Sequence, residues 1–259
     1  MPRPALLVFT DLDGTLLDHE DYSHTAADPA LTRLRAARVP VILASSKTAA
    51  EIAPLRAELD LSDYPAIVEN GAGILGPGED TLPGGGRYDE LRATLNGLPA
   101  GMRAQFQGFG DWSPDEIARR SGLPLAEAAL AAQRRYSEPG IWSGDVAAQA
   151  EFIAALREMG VTARAGGRFL TLSFGGTKAG RMAEIAAHYP TPFIVALGDA
   201  PNDTEMLEQA DLGIIIANPH HPPLPPLMGE DKGHILRTDI PGPKGWNTAM
   251  EQVITEFSI

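Results

Sequence analysis

The stretch Ala5-Leu6-Leu7-Val8-Phe9-Thr10-Asp11-Leu12-Asp13-Gly14-Thr15 decides the reading of this 259-residue chain. Ala5 to Phe9 is a short, unbroken apolar run. It predicts a strand buried on both faces, and therefore parallel to its neighbours. Two aspartates, Asp11 and Asp13, follow at its carboxyl end. In an open α/β sheet, ligands bind outside the carboxyl ends of the strands. Carboxylates gathered there repel each other unless a cation sits among them.

Outward from this strand, Val39–Ala44 and Pro65–Glu69 predict two more buried strands. Helices are predicted between them over Pro29–Ala37 and Thr48–Leu59, the first with Asp28 as N-cap and Pro29 in the first turn. Gly71 predicts a turn. Strand and helix alternate through residues 1–75, the signature of a parallel sheet flanked by helices. The texture changes after Leu75, where 76–78 and 83–86 are rich in glycine and proline. Residues 87–172 carry helical patterns near 88–96, 114–120, 124–132 and 145–159. Strand-like pieces lie near 102–109, 133–137, 161–164 and 168–174. This mixture predicts an inserted α+β module. The α/β texture returns at Lys178, with a helix to about His188. Strands follow at Phe193–Leu197 and Leu212–Ala217, with a helix at Thr204–Gln209 between them. An irregular loop is predicted at 219–226, where five of eight residues are proline. A closing helix is predicted over Trp246–Phe257. His220 and His221, in the proline-rich loop, are expected to face solvent.

Composition closes several doors. With no cysteine there is no disulfide framework, thiolate zinc site, iron–sulfur cluster or cysteine nucleophile. The 34 Asp+Glu against 21 Lys+Arg, a formal charge of −13, argue against a nucleic-acid or anionic-membrane partner, which needs a basic face. No apolar stretch approaches the roughly 20 residues of a membrane span. Met1-Pro2-Arg3-Pro4 runs into the first strand without the regions of a secretory signal, so a cytoplasmic location is expected. Lysine is rare, four residues against seventeen arginines, so a lysine in a special context is a stronger signal than usual.

Three more strand and helix ends carry matching chemistry. Ser45-Ser46-Lys47-Thr48 follows the second strand and opens a helix; hydroxyls, backbone N–H groups and the helix dipole there favour an anion. Gly198-Asp199-Ala200-Pro201-Asn202-Asp203 again puts carboxylates at a strand end. Lys178 opens a helix, where its charge meets the positive end of the dipole; an aspartate or phosphate partner is expected. Asp11, Asp13, Asp199 and Asp203 make a set of hard oxygen donors that suits Mg²⁺ and not zinc.

In this order and on these elements, Asp11–Thr15, Ser45, Lys178 and Gly198–Asp203 resemble the four motifs of the haloacid dehalogenase (HAD) superfamily. The resemblance covers most of the chain. It implies a Rossmann-like α/β core with a parallel sheet, from residues 1–83 and 173–259, and an α+β cap of the C2B type over 84–172. Ser45-Ser46-Lys47-Thr48 stands where sugar phosphatases of this group commonly have Thr-Gly-Arg. The segments Glu69-Asn70-Gly71-Ala72, Arg134-Arg135-Tyr136-Ser137-Glu138 and Gly166-Gly167-Arg168-Phe169 are similar to mannosyl-3-phosphoglycerate phosphatases, which make a compatible solute of thermophiles.

The resemblance implies that Asp11 is a nucleophile forming an aspartyl-phosphate, and that Asp13 is the acid and base. Mg²⁺ is expected on Asp11, the Asp13 backbone carbonyl and Asp199, with Asp203 as a further ligand or behind it. Ser45, Ser46 and Lys178 would hold the phosphoryl oxygens, and Asn202 would orient Lys178 or Asp199. For a phosphorylated sugar-acid substrate, Arg134, Arg135 and Arg168 are candidates for the carboxylate, because guanidinium binds it bidentately. Lys47, Glu69, Asn70, Ser137 and Glu138 are candidates for the rest of the substrate. Other readings are a phosphatase of glucosyl-3-phosphoglycerate or sucrose phosphate, and a phosphomannomutase-like enzyme. A phosphate-responsive binding protein like a receiver domain is a third; it needs no acid two residues after its phosphoacceptor, so Asp13 argues against it. Oligomeric state is open.

Overall fold

The computed structural model describes residues 5–81, 86–166, 169–220 and 222–259. The first strand, β1 (Leu6–Thr10), is buried at every position. Helix α1 (Asp28–Ala36) leads to β2 (Val41–Ala44), and α2 (Ala49–Glu58) to β3 (Ala66–Val68). Asp28 is the first residue of α1, not its cap. A 3-10 turn at Thr25–Ala27 leads straight into the helix, and Asp28 accepts from His24 Nδ1 at 2.8 Å. Thr48 caps α2 through a reciprocal box with Glu51, the arrangement that satisfies two orphan donors at once.

A strand absent from the prediction, β4 (Gly73–Leu75), pairs antiparallel with β3. Beyond it come α3 (Tyr88–Asn96), the single turn α4 (Ala100–Arg103), β5 (Phe106–Gly108), α5 (Pro114–Ser121) and α6 (Leu125–Ala131). Then follow β6 (Ser137–Trp142), α7 (Val146–Glu158), β7 (Thr162–Gly166) and β8 (Phe169–Ser173). The strand expected over 133–137 is not formed; β6 starts only at Ser137. The backbone N–H groups just before it donate to a carboxylate instead of a ladder, as described below. The chain closes with α8 (Lys178–Ala186), β9 (Phe193–Gly198), α9 (Thr204–Gln209), β10 (Leu212–Ala217), β11 (Ile235–Pro241) and α10 (Gly242–Phe257). The closing helix thus begins four residues before Trp246, and β11 was not foreseen.

The fold is an α/β core carrying an inserted α+β cap. The core sheet has seven strands in the order β11-β10-β9-β1-β2-β3-β4, all parallel except β4. Alternation along β1 feeds two cores. Leu6 and Val8 join Trp246 and Leu34 on one face, while Leu7 and Phe9 join Met182 and Leu207 on the other. The cap sheet is antiparallel, ordered β5-β6-β8-β7. Its core is built from Leu91 and Leu95 of α3, Phe152 and Leu156 of α7, and Phe106 and Leu172 of the sheet.

Register positions the site. Thr10 lies opposite Leu43 on one side and Leu197 on the other. Because all three strands are parallel, residues 11–13, 45–47 and 199–203 leave the same sheet edge together.

Candidate active site

Asp11 follows β1, and its N–H donates to Leu197 O at 2.9 Å, which ties it to the end of β9. Asp199 leaves β9, and Asp203 ends the 3-10 turn Pro201–Asp203. One carboxylate oxygen from each of Asp11, Asp199 and Asp203 lies within 4.8 Å of the others, and all three residues are buried. Lys178, at the start of α8 and only 2% exposed, donates to Asp11 Oδ1 at 2.5 Å and Asp203 Oδ1 at 2.7 Å. The other Asp203 oxygen accepts from the N–H groups of Asp199 and Ala200 at 3.2 and 3.1 Å. Asp203 therefore both anchors the lysine and shapes the loop that presents Asp199.

Two contacts behind Asp199 were not foreseen. Thr15 Oγ1 donates to its Oδ1 at 2.8 Å, and Asn218 Nδ2 to its Oδ2 at 2.6 Å. The signal for Asn218 was present: it is a polar residue directly after the buried strand β10. Local backbone freedom brings these parts together. Gly71 has φ +89°, and a Cβ there would come within 2.1 Å of the Thr177 carbonyl carbon. Only glycine lets that turn touch the residue before Lys178.

The electrostatics are unbalanced. Burial pushes the Asp11 carboxyl well above its usual range, and Asp203 and Asp199 push it further against the opposing pull of Lys178. Asp199 is raised for the same reasons, burial first and Asp203 second, against the hydrogen bonds of Asn218 and Thr15. Burial works against the Lys178 charge, yet Asp11 and Asp203 hold its pKa above the ordinary value. Three buried carboxylates thus meet one buried lysine. A divalent cation among them would remove the conflict, and an all-oxygen donor set is what Mg²⁺ takes. The residues present fit that ion.

Asp13 stands apart from this cluster. Its carboxylate lies 3.0 Å from Lys47 Nζ. Burial works against the Lys47 charge, but Asp13 and Glu51 raise its pKa. Lys47 therefore faces Asp13 rather than open space. Ser45 is buried, and its Oγ accepts from Lys47 N–H at 3.2 Å. Ser46 is exposed. Asn70 Oδ1 accepts from Asn202 Nδ2 at 3.0 Å, so Asn202 orients Asn70, where Lys178 or Asp199 was expected.

Four expected substrate contacts are taken up inside the protein. Glu138 is fully buried in β6; it accepts from Arg92 Nη1 at 2.6 Å, Gly110 N–H at 3.0 Å and the Tyr88 hydroxyl. Glu69 is 1% exposed, and its carboxylate accepts from the N–H groups of Arg135, Tyr136 and Ser137. Ser137 Oγ donates to Glu69 and accepts from Arg134 Nη2. Glu69, Arg134, Ser137 and Glu138 are thus spent on internal bonds, the first three where cap meets core. Arg135 is half-buried beside them, and Arg168 lies outside the described residues. His220 is exposed and stacks on His19 with ring centroids 4.0 Å apart, while His221 also lies outside the described residues. Across the cleft, Arg164 of β7 reaches to 3.8 Å from Glu205 of α9, two residues past Asp203.

Solved structures share this fold along their whole length. The chain is similar to the sucrose-phosphatase of Synechocystis sp. PCC6803, solved with sucrose and phosphate, at 17% identity and a TM-score of 0.62, with 99% of each chain covered. It is also similar to the HAD subclass IIB sugar phosphatase BT4131, at 17% identity and a TM-score of 0.66, covering 96% of this chain and 98% of that one. A haloacid dehalogenase-like hydrolase from Bacteroides thetaiotaomicron gives 18% and 0.69, covering 96% and 99%. At such identities the likeness is one of fold. The family of haloacid dehalogenase-like hydrolases matches residues 8–82 and 164–222, which carry Asp11, Ser45, Lys178, Asp199 and Asp203. Those two segments are more than half of the sequence, and the chain belongs to the haloacid dehalogenase-like hydrolase family.

Proposed function

We propose that this chain is a Mg²⁺-dependent phosphatase of phosphorylated sugar acids, acting in the cytoplasm, with mannosyl-3-phosphoglycerate as its substrate. The observation that carries the reading is the pairing of two unlike aspartates at one strand end. Asp11 is buried against Lys178, whereas Asp13, two residues on, is half-exposed beside Lys47. A nucleophile held against a lysine out of solvent and an acid open to a leaving group need those two positions.

Asp11, Asp199, Asp203 and the Asp13 backbone carbonyl would hold the metal. When bound, Mg²⁺ supplies positive charge beside the phosphoryl oxygens. An oxygen of Asp11 bonds to phosphorus as the bond from phosphorus to the sugar-acid oxygen breaks. Asp13 gives that oxygen its proton. In the second half, Asp13 takes a proton from water, whose oxygen attacks phosphorus and frees phosphate and Asp11. Lys178 and Ser45 hold the phosphoryl oxygens, with the Ser46 hydroxyl at the mouth. The substrate is proposed to sit between the core formed by 1–83 and 173–259 and the cap formed by 84–172. Arg135 and Arg168 would meet its carboxylate; Asn70, Asn202 and Lys47 line the way to it.

Phosphate release with Mg²⁺ across mannosyl-3-phosphoglycerate, glucosyl-3-phosphoglycerate, sucrose 6-phosphate and mannose 6-phosphate tests the reading. The first is expected to be preferred by at least tenfold in kcat/KM. Asp11→Asn is expected to abolish release from all four. Equal turnover of the panel removes the substrate assignment, and full activity of Asp11→Asn removes the mechanism.

A further inference from the structure

Glu69 and its neighbour adopt an uncommon backbone. Glu69 has φ 50° and Asn70 φ 58°, two successive side-chain-bearing residues in the left-handed region. Such conformations persist where the surroundings over-determine them. The main chain of this turn faces the segment that follows β2. Asn70 N–H donates to Ser45 O and Glu69 N–H to Lys47 O, each at 2.9 Å. The carbonyl between them, Ser46 O, accepts from Arg134 Nη2 of the cap at 3.1 Å. Three successive carbonyls are therefore fixed, and with them the planar peptide units that follow Ser45, Ser46 and Lys47; Lys47 N–H donates to Ser45 Oγ at 3.2 Å and Thr48 N–H to Glu51 at 2.7 Å.

The side chain of the same residue holds the cap. One Glu69 oxygen accepts from Arg135 N–H at 2.9 Å. The other accepts from Tyr136 N–H at 3.1 Å, and from Ser137 N–H and Oγ at 2.8 Å each. Arg134 Nε lies 3.4 Å away as the counter-charge. The Tyr136 ring lies against Gly73 of β4, where a Cβ would come within 2.6 Å of it.

We infer that Glu69 is a positioning residue that couples the cap to the loop Ser45–Lys47, so that cap docking and the shape of the phosphate-holding loop change together. The carboxylate is required because it faces donors only. A Gln in its place would turn an NH₂ group toward an N–H group. Arg134 is the second arm, joining Ser46 O, Ser137 Oγ and Glu69.

The inference rests on the phosphatase reading only for where phosphate binds, and its test separates the two. Hydrogen exchange of peptides 44–48 and 134–138 is followed in the full chain, wild type, Glu69→Gln and Arg134→Lys. Binding of inorganic phosphate with Mg²⁺ is measured by calorimetry on the same proteins. Glu69→Gln is expected to speed exchange at least tenfold in both peptides and to weaken phosphate at least tenfold. Faster exchange in 134–138 alone, with 44–48 and phosphate affinity unchanged, overturns the coupling. Should Glu69→Gln fail to fold, Arg134→Lys decides by the same readouts, since it keeps the charge and loses the fork. Wild-type chain that does not bind phosphate overturns the phosphatase reading instead, and the exchange comparison still judges the coupling.

Discussion

Lys178→Met removes a charge and its donors while keeping nearly the same volume. The ammonium lies 2.5 Å from Asp11 and 2.7 Å from Asp203 and is 2% exposed. Taking one partner from a buried ion pair costs about 3–5 kcal/mol, because the remaining charge is left without compensation. For a domain whose total stability is about 5–15 kcal/mol, that is a large share. With a urea slope of about 1–3 kcal/mol per molar, the midpoint falls by at least about 1 M. The pH direction follows from Asp11. Burial, then Asp203 and Asp199, raise its carboxyl, and Lys178 is the group that opposes them. Without the lysine it rises further. A carboxyl whose folded pKa exceeds its unfolded value binds more protons in the native state, so stability increases as pH falls through the folded pKa toward the unfolded one. Urea unfolding of wild type and Lys178→Met in EDTA, at pH 8 and pH 5.5, measures both effects. The deficit is expected to be larger at pH 8. A deficit under about 1 kcal/mol, or one that does not shrink at pH 5.5, refutes the picture of an under-compensated carboxylate cluster.

Other outcomes are expected from the same geometry. Asn218→Ala frees one oxygen of Asp199, and loss of such a supporting hydrogen bond is expected to weaken Mg²⁺ by about 10–100-fold, read by calorimetric titration. Gly71→Ala forces a Cβ to 2.1 Å from the Thr177 carbonyl carbon at φ +89°; a loss of about 2–5 kcal/mol in urea unfolding is expected, and an unchanged midpoint would remove the close-approach argument. His24 Nδ1 and Nε2 face Asp28 and Glu58 at 2.8 and 3.2 Å. Burial lowers its pKa, but those partners raise it above the ordinary value on balance. Its contribution is therefore full below about pH 6.5 and lost as pH rises through the folded pKa. With both partners exposed, a His24→Gln comparison across pH 5.5–8 should show no more than about 1 kcal/mol.

How far the sequence could be read depended on where each signal lies. Apolar runs buried on both faces declared β1, β2, β9 and β10, because such burial leaves almost only apolar residues in the strand. The strand β11 reads Ile-Leu-Arg-Thr-Asp-Ile-Pro and is mostly exposed, so no apolar run marked it. Pro139 and Gly140 sit inside β6 and masked it. The carboxylates and Lys178 were legible because residue type and strand end coincide, and that coincidence is local. The residues of the cap and its junction with the core were not. Glu138 takes its bonds from Tyr88 and Arg92, 50 and 46 residues away. Glu69 takes its bonds from residues 66 to 68 positions on. A polar residue spent on a distant internal partner looks the same in sequence as one waiting for a sugar hydroxyl.

Lysine usage sharpens what the acid excess meant. Two of the four lysines, Lys47 and Lys178, stand at the strand-end carboxylates, in a chain that uses arginine for most of its positive charge. The choice has a physical reason at Lys178. One nitrogen must reach Asp11 and Asp203 at once in a buried site, and a compact ammonium with three rotatable donors does so. A planar guanidinium spreads its donors over a fixed fork suited to one carboxylate. At the cap junction the preference reverses: Arg134 puts Nη2 on Ser46 O and Ser137 Oγ and Nε 3.4 Å from Glu69, two points of a rigid plane that a single ammonium does not supply. Lys178→Arg should therefore lose activity despite keeping its charge, and phosphate release from mannosyl-3-phosphoglycerate checks it. Wild-type turnover in that variant would mean that charge alone, without the single-point geometry, is what Asp11 requires.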